Sequence, residues 1–304
     1  MSRGAWVFSF AFSLLFLGCS SARRITPTAT FERDNFIGTL EVVRTFGHFN
    51  EAICLSFDGF NDLYIADTKA PGVYKFSSDG DSLHAVIASG SAHGQFDTPS
   101  DIDASLTNAI AVADKNNNRI ELYSRDLIWQ ATIEGHRPAS TIHFSQPLAV
   151  RAAPSGYYYI IDGERERLLA LDPVRGLQQE VTTSGSTLGL NMKPYSIAID
   201  AGEYIDVADA NFRSLLLFNN TLSPITQVKF SPANNSRLSG HEEDLLVFEP
   251  NANTVRFFDF RSLGYIGSYS LPRSINDPVM VHRQGNKLYV LCKKEVVVCS
   301  IKNN

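Results

Sequence analysis

The 304-residue chain is poor in the features from which function is usually read. It has no run of Lys or Arg, and its formal net charge is -5. Nucleic-acid binding by counterion release needs a clustered basic surface, so a nucleic-acid partner is excluded. No G-x-S-x-G, H-E-x-x-H or C-x-x-C occurs, so no motif supports a serine nucleophile, a helical zinc site or a paired-cysteine metal site. Cysteine occurs only four times, at Cys19, Cys54, Cys292 and Cys299. What is present is a globular balance, 44% apolar and 19% charged residues, enough to build a substantial core.

The first residues form a separate segment. Arg3 precedes an apolar run from Ala5 to Leu17, which is too short for a comfortable permanent span and has the form of a secretory signal over residues 1–18. The stretch "LFLGC" resembles the bacterial lipobox, in which cleavage precedes a cysteine that receives lipid; this resemblance implies Cys19 as the lipidation site. The expected location is extracytoplasmic, as a cell-envelope lipoprotein on the outer membrane or periplasmic face, touching membrane only through its anchor; the alternative is secretion. Residues 19–36 are polar and without period, and are read as a tether. The domain is expected over residues 37–304.

Within that domain one arrangement recurs. Asp67, Asp114, Asp162 and Asp209 end apolar runs at spacings of 47, 48 and 47, and Glu249 and Cys292 hold the same place after gaps of 40 and 43. The residues four and two before each marker, and six and nine after it, are apolar in every copy. Such alternation, interrupted by a short polar loop, is a strand, a turn and a strand. Pro99, Pro147, Pro194 and Pro278 open the copies, where the missing N–H suits the first residue of a strand. A fourth strand follows each hairpin, as in "LHAVIA" from Leu83. Four antiparallel strands per 40 to 48 residues is the period of a β-propeller blade.

Six copies predict an all-β, six-bladed β-propeller. The last copy lacks a fourth strand, whereas "TLEVVRTFG" at 39–47 is a strand without a blade, so the two ends are expected to pair and seal the ring. Copy five, with "NNSRLSGHEED" for a first strand, is expected to be irregular.

The pattern F-x-x-P and the stretch "VADKNNNRI" at 112–120 resemble the NHL repeat, and residues 37–301 are similar to bacterial six-bladed β-propeller lipoproteins built from it. The resemblance implies the fold. It leaves function open, since NHL-like propellers include interaction modules, lyases and sugar-lactone hydrolases, and it carries over no catalytic residue.

Candidate site residues follow from the blade plan. First strands line a propeller channel, and their second and fourth places are small or polar, which singles out Asp101, Asp103, Arg151 and His282. The hairpin loops present Asn117, Arg119, Arg165 and Arg213, with Arg119 and Arg213 expected to bridge towards neighbouring blades. The marker aspartates are expected to cap their turns. His48, His93 and His143 enter first strands on one face and are the candidates for a zinc site. Cys292 and Cys299 lie across one hairpin, compatible with a disulfide or with two buried thiols. The expectation is a non-catalytic binding or scaffolding module without cofactor, taking a protein, peptide or glycan on its loop face. The alternative is a metal-dependent lyase or hydrolase at the channel mouth.

Overall fold

The computed structural model describes residues 27–30, 37–106, 109–136, 142–182, 192–211, 213–229, 236–241 and 243–303, with side chains left out at 27–30, 241 and 303. The leader and Cys19 lie outside the described residues. Six four-stranded antiparallel sheets form the blades of a β-propeller. Blade one consists of Ala52–Phe57, Leu63–Asp67, Gly72–Phe76 and Ser82–Ile87. Blade two consists of Pro99–Asp103, Ile110–Asp114, Arg119–Tyr123 and Trp129–Glu134. Blade three follows with Pro147–Ala152, Tyr158–Asp162, Arg167–Asp172 and Gly176–Val181, and blade four with Pro194–Ile199, Ile205–Asp209, Ser214–Phe218 and Pro224–Lys229. Blade five is Arg237–His241, Asp244–Glu249, Thr254–Asp259 and Tyr265–Ser270.

Blade six joins both ends of the domain. Pro278–Gln284, Lys287–Cys292 and Val296–Asn303 are completed by Gly38–Phe46, paired antiparallel from Gly38 opposite Asn303 to Phe46 opposite Val296. The strand without a blade is therefore the fourth strand of the last one, and it covers what would be a free edge.

Burial explains the apolar markers. Every residue of the second strands Leu63–Asp67, Ile110–Asp114, Tyr158–Asp162 and Ile205–Asp209 is buried, because successive side chains face the two neighbouring sheets in turn. One apolar cluster joins Leu55 and Ile65 of blade one to Ile102 and Val112 of blade two and Leu291 of blade six. Each such side chain contributes about 1.5–3 kcal/mol on burial, offset by the entropy of ordering the chain.

One departure from the sequence expectations and the outcome of two others are instructive. Residues 27–30, inside the segment read as a tether, form a strand, Pro27–Thr30, lying parallel to Pro224–Lys229 as a fifth strand of blade four. Blade five does form its first strand, but without an opening proline, and its second hairpin contains the 3-10 turn Pro250–Ala252. Cys292 and Cys299 are free, buried thiols. The register pairs Cys299 with Leu288, whereas Cys292 closes the hairpin by donating its N–H to the Glu295 carbonyl at 2.8 Å, so the two are not cross-strand partners.

Candidate functional site

The repeated aspartates act as clamps. Asp67 Oδ1 accepts the N–H groups of Lys69 at 2.9 Å and Ala70 at 3.0 Å, within its own turn. The same carboxylate also accepts from Asn50 at 2.6 Å and Glu51 at 3.0 Å, in the loop entering the first strand. Asp114 repeats this with Asp97 and Thr98 at 3.1 and 3.0 Å, Asp162 with Ser145 at 3.3 Å and Arg165 at 3.2 Å, and Asp209 with Lys193 at 2.6 Å. Asp67 and Asp162 thus tie two loops together at one end of their blades, Asp114 does so with the Asn117 side chain from its own turn, and Asp209 holds the entering loop at Lys193. With their oxygens engaged by backbone, these carboxylates stiffen the loop face.

Strand register defines the channel row. The residue opposite the position before each marker is Cys54, Asp101, Ala149, Ser196, Arg237 or Met280. Two places on stand Ser56, Asp103, Arg151, Ala198, Ser239 and His282. Blade five thereby puts a cation, Arg237, where blade two has Asp101.

The structure brings Asp101, Asp103 and Arg151 together. Arg151 Nη1 donates to Asp101 Oδ2 at 2.6 Å, and that oxygen also accepts the Val150 N–H at 2.9 Å. The other oxygen, Oδ1, accepts from the Cys54 thiol at 2.7 Å. Asp103 accepts the N–H of Ala152 at 2.7 Å and of Ser105 at 3.2 Å. Burial pushes the Asp103 pKa up, partly countered by Arg151 and its backbone donors. Burial acts to lower the Arg151 pKa, but Asp101 and Asp103 outweigh it, and the guanidinium stays charged. Burial, then the Asp101 charge, pushes the Cys54 thiol far up, so it is no nucleophile at neutral pH. His282 stands apart, its Nδ1 2.8 Å from Ser239 Oγ and its ring 5.1 Å from Phe57.

The channel opens at two mouths of different character. Asp103, Arg151, Ser239 and His282 face a cavity of about 250 Å³ where the first strands end, beside Asp58. Asp58 is itself a clamp, accepting the N–H groups of Phe60 and Asp62 at 2.9 Å and the Arg125 guanidinium at 2.8 Å. Where the first strands begin lies a wider cavity of about 490 Å³, walled by residues of all six blades. Its apolar wall includes Ile53, Pro99, Leu148, Tyr195, Pro278 and Val279. The residue after the marker lines it in four blades: Thr68, Lys115, Pro250 and Lys293.

The loop candidates divide. Asn117 donates to Asp114 Oδ2 at 2.6 Å and to the Gly90 carbonyl at 2.9 Å. Arg119 is buried, reaching Glu121 at 2.9 Å and the carbonyls of Ser91, Ala92 and Gln95 in the loop between blades one and two. Both side chains serve the scaffold. Arg165 and Arg213 are exposed on the loop face. The zinc candidates find separate settings. His93 stacks on Trp129 at 5.3 Å, His143 faces His136 with 3.3 Å between their Nδ1 atoms, and His48 is exposed. Among the described residues no three His, Cys, Asp or Glu side chains form a metal-holding group.

The fold and channel define a six-bladed β-propeller, and comparison with solved structures agrees. The chain is similar to a streptogramin B lyase, with a TM-score of 0.59 at 13% identity over 83% of this chain and 79% of that one. A catalytically inactive virginiamycin B lyase from Staphylococcus aureus with quinupristin gives 0.58 at 12% identity, covering 83% and 80% of the two chains. The selenomethionine-substituted enzyme from the same organism gives 0.54 at 13% identity, covering 84% and 82%. At these identities the likeness is one of fold alone. No family model and no curated protein sequence matches.

Proposed function

We propose that this propeller is a non-catalytic binding module of the cell envelope, of the NHL-repeat lipoprotein kind, tethered through lipid on Cys19 and engaging a protein, peptide or glycan on its loop face. One observation carries the reading. The loop face surrounds an open cavity of about 490 Å³ and is stiffened by the aspartate clamps, while the charged channel residues Asp101, Asp103 and Arg151 are engaged with one another and with backbone. A rigid rim around an open concavity is the form of a recognition surface. Arg165 and Arg213 are the exposed rim cations that meet the partner.

The test presents the purified protein and its Arg165→Glu/Arg213→Glu variant to peptide and glycan arrays, recovers what is retained, and assays bound metal. The expected result is selective retention of molecules of unchanged mass, weakened about tenfold in the variant. Chemical conversion of retained molecules, dependent on stoichiometric zinc or calcium, would overturn the reading in favour of a metal-dependent lyase or hydrolase.

A further inference from the structure

The charges on the wide mouth are all of one sign. Its ionic wall residues are Lys115, Arg237 and Lys293, and among the described residues no carboxylate lines it. This is unexpected for a chain of net charge -5. The clamps explain part of it, because the carboxylates of Asp67 and Asp114 turn to backbone N–H groups while the next residue, Thr68 or Lys115, faces the cavity; Cys292, the marker before Lys293, carries no carboxylate. Lys115 and Lys293 occupy that next position.

Arg237 is the more telling cation. It is half-buried in the channel row, and it has no ion-pair partner within 4.0 Å among the described residues, whereas Arg151 in the same channel is paired with Asp101. Lys115 likewise has none, and Lys293 has only Glu51 at 3.7 Å. Blade five and blade two stand opposite in a six-membered ring, so Arg237 and Lys115 face the cavity from opposite sides, while Asp101 in the channel row of blade two is paired with Arg151. Between them the walls are apolar, from Ile53, Leu148, Tyr195 and Val279. A half-buried guanidinium with no ion-pair partner among the described residues bears a desolvation cost that an arriving anion relieves.

We propose that the wide mouth binds a small amphipathic organic anion: a carboxylate-type head held by Arg237 with help from Lys115 and Lys293, and an apolar body against the wall. The cavity volume of about 490 Å³ suits a ligand of this kind. The proposal rests on the reading of this face as the binding face. A free carboxylic acid and the carboxyl terminus of a peptide share this chemistry.

Fluorescence titration with 8-anilinonaphthalene-1-sulfonate tests it, against N-phenyl-1-naphthylamine, a similar body without the anion. The sulfonate binds one equivalent about tenfold more tightly than its uncharged analogue, weakens with salt, and loses that advantage in Arg237→Gln and part of it in Lys115→Gln. Arg175→Gln, an exposed site away from the mouth, matches wild type, and unchanged urea midpoints show that the variants are folded. Displacement by dodecanoate assigns a free acid; displacement by a leucine-terminated hexapeptide, but not by its amide, assigns a peptide carboxyl terminus. Equal affinity for charged and uncharged probes, or full affinity in folded Arg237→Gln, overturns the anion proposal. Array retention unaffected by Arg237→Gln would then leave the binding-module reading standing, whereas conversion of retained molecules with the anion preference intact would remove only that reading.

Discussion

Asp206 is buried in the second strand of blade four, between Ala198 and Leu217 of the flanking strands, and neither carboxylate oxygen has a hydrogen-bond partner among the described residues. Burial first, then the charges of Asp200 and Asp259, push its pKa well above the usual carboxylate range. The folded protein therefore holds a proton that the unfolded chain releases near pH 4, its ordinary aspartate value. Native binding of more protons than the unfolded state makes stability fall as pH rises from about 4 through the raised folded value. Asp206→Asn removes this penalty. Urea unfolding should find the variant close to wild type at about pH 4 and more stable by about 1–3 kcal/mol at about pH 8, with a gap independent of pH as the contrary result. Nothing in the repeat pattern announces this residue: it occupies an unremarkable place between two apolar positions. Its exposure is set by blade five, which packs over it.

At the level of strands and loops, the period was legible because the alternation of buried and channel-facing positions is imposed by geometry in every blade. Asp67, Asp114, Asp162 and Asp209 were legible as turn caps, but not as clamps between loops. The second half of that role depends on Asn50, Asp97, Ser145 and Lys193, whose backbone N–H groups approach only after the first strand has paired. Asp114→Ala leaves the donors of Asp97 and Thr98 without their acceptor and takes from the Asn117 amide one of its two acceptors. The expected cost is about 2–4 kcal/mol in urea unfolding, with faster amide exchange at positions 97 and 98. Unchanged protection there would contradict the clamp. Lys115 and Lys293 are the residues after the marker, and lining up that position across copies would have exposed the cationic rim. Arg237 escaped because copy five has no opening proline to set the count; only the pairing of Arg237 with Phe248 reveals its place in the channel row.

Across the whole molecule, the channel divides into a narrow mouth with Asp58, Asp103, Arg151 and His282, and a wide one whose ionic groups are cations. Closure by Gly38–Phe46 completes blade six, which lends residues to both mouths. Sealing was readable from a surplus strand at one end of the domain and a missing one at the other. The assignment of charge to mouths was not, because it depends on which polar residues satisfy one another. Asp101 and Arg151, expected as candidates, hold blades two and three together across the channel. In the proposal made above, recognition falls instead to residues at the wide mouth. The direct test is urea unfolding of Arg151→Met with and without 8-anilinonaphthalene-1-sulfonate. Removing the guanidinium strands the Asp101 charge, so stability should fall by about 3–5 kcal/mol while the increment added by the probe stays as in wild type. Undiminished stability together with loss of the probe's increment would make Arg151 a ligand-binding residue and contradict the division between a structural channel and a binding mouth.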